Sequence, residues 1–234
     1  MISKRILLMG GAVLTTELIW YLYRRFGSFE EKTWIVRAVW KTNARKSKQN
    51  ISKVMFFSNE SNLCRAHASS DEICLKDCCP VRYLREVESY INRAERSLDV
   101  CMYILSCQLL SNAIVNAHKR GVFVRIIMDR HMASNESAQT ALFYNNGVPI
   151  RLKDLGVLMH HKFAIVDNDI VITGSMNWTM SGFFGNFENL LVTNHRLLLQ
   201  PFIDEFDSLW KTFSNFSNMY LEPLIEPLVA NSGQ

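Results

Sequence analysis

From Lys53 to Phe213 the sequence alternates short apolar runs of strand length with amphipathic stretches of helix length, and this alternation limits the fold more than any other feature. KVMFF (53–57), LDVCMYI (98–104), VFVRIIMD (122–129), VPIRL (148–152) and ENLLVT (188–193) read as strands. PVRYLREVESYINRAE, opened by Pro80, QLLSNAIVNAHKR, stopped by Gly121, and NESAQTALFYNN, stopped by Gly147, read as helices. A last amphipathic helix runs from about His195 to Phe213. The pattern predicts an α/β layered domain, its central sheet parallel or mixed and covered by helices on both faces.

The chemistry concentrates in MHHKFAIVDNDIVITGSMNWT, Met159 to Thr179. KFAIV and DIVIT are apolar runs separated at the turn residues Asp167-Asn168, so they read as adjacent antiparallel strands. A turn centred there sets His160 opposite Ser175 and Lys162 opposite Thr173, and brings His160, Lys162, Ser175 and Asn177 to one end of the hairpin. Strand alternation puts His160 and Lys162 on one face and His161 on the other, which selects His160 as the working imidazole. Asp167 lies seven residues from His160, roughly 23 Å along an extended strand at about 3.3 Å per residue, so a turn role suits it better than phosphate contact. An imidazole, an ammonium, a hydroxyl and a carboxamide suit phosphoryl transfer through a nucleophilic histidine, with Lys162 and Asn177 stabilising charge on the phosphate oxygens and Ser175 as a further phosphate or backbone partner. One motif supplies one histidine, and a leaving oxygen also needs a proton. A homodimer in which the partner's imidazole acts as general acid meets that need.

Ile6 to Tyr23 is almost wholly apolar, opened by Lys4-Arg5 and closed by Arg24-Arg25. As a helix rising about 1.5 Å per residue it nearly spans a hydrocarbon core of about 30 Å. No small-x-small cleavage site follows, and Trp20, Tyr21 and Tyr23 resemble an interfacial belt, so residues 1–26 read as a retained single-pass anchor rather than a cleaved signal peptide. Glu17 is its one costly residue. Residues 24–53 carry nine Lys/Arg against two Glu, which leaves the rest of the chain on the cytosolic side. Within the basic segment 27–52, Trp34, Ile35, Ala38 and Val39 share a helical face that either lies on an anionic membrane or belongs to a linker capping the domain. The catalytic domain is expected over 53–215 and a C-terminal tail over 216–234.

Four of six cysteines crowd into CRAHASSDEICLKDCC, inside an insertion at 58–80. A cytosolic location disfavours disulfides, so Cys64, His67, Cys74 and Cys78, with Cys79 as the alternate ligand, read as a structural zinc site. The histidine chemistry needs no catalytic metal. Cys101 and Cys107 read as buried small hydrophobes. A net charge of +4 favours a polyanionic substrate, and Lys119, Arg120, Arg130 and Lys153 are the basic candidates near the site, where no exposed apolar stripe is evident.

His160-x-Lys162-x4-Asp167-x6-Gly174-Ser175-x-Asn177 is similar, position by position, to the HKD signature of the phospholipase D superfamily. The single motif, the apolar N-terminus, the cysteine-rich insertion and GSMNWT resemble its Zucchini, or mitochondrial phospholipase D, family over essentially the whole chain. The resemblance implies an α-β-α layered fold with a mixed sheet. It assigns Glu188 as the carboxylate that orients the histidine, and implies zinc ligands in the same insertion. It further implies a single-strand-specific endoribonuclease of piRNA biogenesis, leaving 5′-phosphate ends, on the cytosolic face of the mitochondrial outer membrane. The alternative is a lipid enzyme of the same chemistry that hydrolyses cardiolipin to phosphatidic acid. The complete set of His160, Lys162, Asn177 and Glu188 argues against a non-catalytic adaptor that kept the fold.

Overall fold

The computed structural model describes residues 50–215, apart from 70–73, 75, 77, 136, 154 and 155. The expected anchor, the basic segment up to residue 49 and the tail from 216 lie outside the described residues. Among the described residues, no helix is long and apolar enough to cross a membrane.

The strands are β1 (Ser52–Phe57), β2 (Ser97–Met102), β3 (Phe123–Asp129), β4 (Ile150–Lys153), β5 (Lys162–Val166), β6 (Ile170–Gly174), β7 (Glu188–Thr193) and β8 (Ser214–Asn215). They form one sheet in the order β1-β7-β6-β5-β2-β3-β4-β8. β2, β3 and β4 are parallel and every other pairing is antiparallel, so the sheet is mixed. The helices are α1 (Pro80–Asn92), α2 (Gln108–Lys119), α3 (Arg130–Ala133), α4 (Thr140–Asn145), α5 (Met180–Phe184) and α6 (Arg196–Thr212), with a 3₁₀ segment at Asn59–Ser69.

Alternation along the strands builds two cores. Val100 and Met102 of β2, Ala164 and Val166 of β5, and Leu190 and Val192 of β7 pack beneath the helices up to α5. Cys101, Phe163, Ile165 and Val171 pack on the other face against Leu199, Ile203, Phe206 and Trp210 of α6. A buried ion pair joins α6 to the sheet: Arg125 donates to both oxygens of Asp99 at 2.7 and 2.8 Å and to Asp207 of α6 at 3.2 Å. Phe206 and Trp210 cover that guanidinium at 4.7 and 5.3 Å. Removing one partner of such a pair costs about 3–5 kcal/mol because it strands the other charge.

Two local expectations are corrected. The helix expected over 135–146 is a turn followed by the six residues of α4. Asn135 Oδ1 accepts from the Ser137 N–H at 2.9 Å and its hydroxyl at 2.8 Å, a local closure that competes with helix formation. In the β5–β6 hairpin, Asp167 and Asn168 take φ values of 56° and 52°, and the Asp169 N–H reaches Val166 O at 2.9 Å, as a two-residue turn requires. The ladder nevertheless pairs Val166 with Ile170 and Phe163 with Thr173. One extra residue on the β6 side therefore shifts the expected register, in which Lys162 faced Thr173, by one position.

Candidate active site

The parallel strands β2 and β3 end at Met102 and Asp129. At that end β5 begins with Lys162, paired with Met102, while β6 finishes at Gly174 and β7 starts at Glu188. The strand order reverses here, with β3 on one side of β2 and β5 on the other. The carboxyl ends at such a reversal form the usual binding crevice of an open α/β sheet. His160, Lys162, Ser175 and Asn177 lie at this end, where the hairpin reading put them, and Glu188, which only the resemblance had assigned, lies there too.

Lys162 Nζ donates to His160 O at 2.8 Å and lies 3.2 Å from His160 Nδ1. An ammonium has three protons, so one remains for a ligand oxygen. The Tyr103 ring, just past β2, stacks obliquely on His160 at 4.6 Å and lies 5.2 Å from Lys162 Nζ. Burial lowers the Lys162 pKa, and the Glu188 carboxylate opposes that shift. Asn177 Oδ1 accepts from the Ile104 N–H at 3.2 Å, which fixes the amide and directs Nδ2 to donate elsewhere.

Of the phosphate and backbone roles expected of Ser175, the structure shows a backbone contact. Its hydroxyl donates to Glu188 Oε2 and accepts from the Asn189 N–H at 3.1 Å. Asn186 Nδ2 donates to Glu188 Oε1 at 3.1 Å. The carboxylate is thus held by Ser175 and Asn186, while His160 Nδ1 faces Lys162. Gly174 permits the close approach: a Cβ there would lie 2.0 Å from Asn189 O.

His161 lies on the opposite face of β5, its Nε2 3.2 Å from Glu205 Oε1 of α6. Asp167 sits at the far end of β5. Its Oδ1 accepts the N–H groups of Arg96 at 2.7 Å and Ser97 at 3.0 Å, and Glu95 N–H lies 3.1 Å from Oδ2. Two donors from the α1–β2 loop and one from the first residue of β2 make this carboxylate a clamp on the hairpin turn.

Two expectations about the surroundings are corrected. Arg130 and Lys153 lie at the carboxyl ends of β3 and β4, but Lys119 and Arg120 end α2 at the opposite edge of the sheet, where Arg120 donates to Asn92 O at 2.9 Å. Apolar side chains are also exposed beside the site: Val157 and Leu158 precede His160, and Phe187 precedes Glu188. Sequence reasoning missed Tyr103 because it took the residue as part of a strand, whereas β2 stops at Met102.

In the insertion, ligand atoms of Cys64, His67, Cys74 and Cys79 lie within 4.8 Å of one another. Cys78 is exposed and outside the group, so Cys79 replaces it as the fourth candidate. Cys79, extended at φ −64° and ψ 118° ahead of Pro80, is buried, whereas Cys78 sits in the preceding turn and is exposed, so only Cys79 faces the group. The Cys64 and Cys74 sulfurs are 3.9 Å apart, close to the roughly 3.8 Å that two thiolates keep on tetrahedral zinc with Zn–S of about 2.3 Å. His67 Nδ1 is buried with no hydrogen-bond partner. This donor set fits a closed metal site, which packs through its 3₁₀ segment on α1 and α5.

Residues 87–210, more than half of the chain, match a family model described as cardiolipin synthase, PLD-like domain. The chain is 32% identical over 196 residues to a mitochondrial cardiolipin hydrolase of Danio rerio, covering 81% of this chain and 83% of that one. It is 31% identical over 206 residues to the Homo sapiens protein of the same name, covering 84% and 80%. A crystal structure of a phospholipase D family member, Nuc from Salmonella typhimurium, superposes with a TM-score of 0.56 at 27% identity, covering 72% of this chain and 99% of that one.

Proposed function

Because the chain belongs to the phospholipase D-like family, we propose that it is a phosphodiesterase of the mitochondrial surface, working as a homodimer through a phosphohistidine at His160. The observation that carries this reading is the convergence of His160, the Lys162 ammonium and the Asn177 amide at one end of the sheet. An imidazole nitrogen of His160 attacks phosphorus, and the bond to the leaving oxygen breaks. Lys162 and Asn177 Nδ2 take up the charge on the non-bridging oxygens. The partner subunit's imidazole protonates the leaving oxygen and then takes a proton from water, whose attack frees His160. Ser175 and Asn186 hold Glu188 close enough to act on Lys162 electrostatically. Cys64, His67, Cys74 and Cys79 hold a structural zinc, whose chemistry when bound is to fix the insertion.

The substrate favoured is single-stranded RNA, cut to leave 5′-phosphate ends as in piRNA biogenesis. Arg130 and Lys153 continue the row of strand ends past the site and supply the charge a backbone-tracking groove needs. A second reading, hydrolysis of cardiolipin to phosphatidic acid, is favoured by exposed Val157, Leu158 and Phe187 and by the name the relatives carry. Full-length protein incubated with single-stranded RNA, its 2′-deoxy analogue and cardiolipin vesicles separates the two, with His160→Ala as control. Cleavage of both nucleic acids is expected, since His160 rather than a ribose hydroxyl attacks. Histidine-dependent release of phosphatidic acid with neither nucleic acid cut selects the lipid reading. Cleavage of RNA alone removes the proposed nucleophile.

A further inference from the structure

The edge of the sheet opposite the active site carries charge and apolar surface that the chemistry does not use. It is formed by the starts of β2 and β3, the β5–β6 turn, the end of β7 and the start of β1. Leu197 and Leu198, in the first turn of α6, are 79% and 49% exposed. They follow the exposed His195 and Arg196, while Lys119 and Arg120 stand exposed at the end of α2. With Arg93 and Arg96 of the α1–β2 loop this edge holds five arginine or lysine residues, against Glu95, Asp167 and Asp169.

The chain enters the described domain at the same edge. Ile51 N–H donates to Asn194 Oδ1 at 2.8 Å, and Asn194 N–H to Ile51 O at 3.2 Å, so residue 50 emerges next to the residues leading into α6. Forty-nine residues precede it, including the apolar run Ile6 to Tyr23. Two adjacent exposed leucines beside excess positive charge, at the point where a chain with an apolar N-terminus enters, match an anionic phospholipid surface in both charge and polarity.

We infer that this edge is a membrane-docking face: Leu197 and Leu198 insert at the headgroup boundary, and Lys119, Arg120 and Arg196 meet anionic headgroups. His160, at the other end of the strands, then points away from the bilayer and takes its substrate from the aqueous side. The inference concerns orientation and does not depend on which phosphodiester is cut.

Hydrogen exchange of the full-length chain tests it, with the protein reconstituted in phosphatidylcholine vesicles with and without phosphatidylserine. The Leu198 and Leu199 N–H groups already reach His195 O at 3.0 Å, so the Arg196 and Leu197 amides, which the first turn leaves without an acceptor inside the helix, show cover by lipid most readily. Exchange over 195–199 and 119–122 is expected to slow several-fold when phosphatidylserine is present, while 156–161 and 186–188 are unchanged. Leu197→Ser with Leu198→Ser and Lys119→Gln should erase the slowing and leave phosphodiesterase activity intact. Equal exchange on both vesicles overturns the inference. So does slowing at 156–161, which would turn the site toward lipid. Slowing that follows protein concentration rather than anionic lipid assigns the face to a second copy instead. Failure of the wild-type chain to float with vesicles removes the anchor reading and the docking face together.

Discussion

His161 Nε2 stands 3.2 Å from Glu205 Oε1, on the face of β5 turned away from His160. Two adjacent histidines thus serve opposite sides of the sheet, one toward the strand-end site and one toward α6. His160→Ala should abolish turnover. His161→Ala removes only a half-exposed contact with Glu205, worth about 0–1 kcal/mol, and should retain most activity. Steady-state rates on both variants, with folding checked by circular dichroism, decide this; equal loss in two folded variants rejects the assignment by strand face.

Lys162 sets an alkaline limit. Burial lowers its pKa from the ordinary lysine value, so the ammonium that neutralises phosphate is lost as pH rises through that lowered value. The rate should therefore fall on the alkaline side earlier than an unperturbed lysine would dictate. Glu188→Gln, which removes the charge opposing the shift, should move the limb to lower pH. Lys162→Ala should cost about 10²–10³ in kcat, the usual effect of removing one charge-stabilising donor. A pH–rate profile with no alkaline limb, or one that Glu188→Gln leaves in place, would show that Lys162 does not titrate in the reaction.

The strand–helix alternation and the period-2 faces continuing from KFAIV made the layered fold and the opposite facing of the two histidines legible in the sequence, because both follow from local periodicity. The β6 register was not legible: the turn dipeptide is as expected, but the extra residue answers to pairing with β5 and β7 together. Nor was the placement of Lys119 and Arg120, which depends on the direction in which α2 runs back across the sheet. The Ser175–Glu188 contact joins positions 13 residues apart through the β6–β7 ladder, and spacing alone does not reveal it. Cys78 and Cys79 are the same residue type one position apart, and only folding decides that Cys79 is buried in the group and Cys78 exposed.

Asp167 belongs to the motif by spacing and to the fold by contact. Its carboxylate accepts N–H groups of Glu95, Arg96 and Ser97 at the end of β5 away from His160. Hydrogen bonds to a charged group contribute about 1.5–3 kcal/mol each, and the three share one carboxylate, so Asp167→Ala should lower stability by about 2–4 kcal/mol. Denaturant midpoints read that loss, and phosphohistidine trapping counts folded active sites. Activity per trapped site should stay near wild type; a large fall in that ratio with an unchanged midpoint would assign Asp167 to the chemistry instead.

The insertion offers a test by adjacent residues. Cys79→Ser removes one of the four converging ligands and should release bound metal and loosen the segment over 59–69, whereas exposed Cys78→Ser should leave both as they are. Metal analysis and limited proteolysis of the purified variants measure the two effects. Because four protein ligands would close the metal site and the proposed histidine mechanism needs no open metal position, a chelator should loosen the insertion before it slows turnover. Loss of turnover with the insertion still protected would point to a metal in the chemistry.

A single motif places one reactive imidazole at each site, yet the proposed reaction asks for two: one bonded to phosphorus and one carrying a proton to the leaving oxygen. Among the described residues, the aromatic neighbour of His160 is Tyr103, and His161 is committed to the other face of the sheet. The second imidazole is therefore expected from a two-fold-related copy, since an isologous pair brings the same residue from both sides to one axis. Co-expression of wild-type and His160→Ala chains carrying different tags allows the mixed dimer to be isolated. It should retain a small fraction of wild-type turnover, because in one arrangement the nucleophile is missing and in the other the acid. It should still trap phosphohistidine on its wild-type chain when the leaving group is an activated phenolate that needs no proton. Half of wild-type turnover in the mixed dimer would mean that each chain supplies both groups itself.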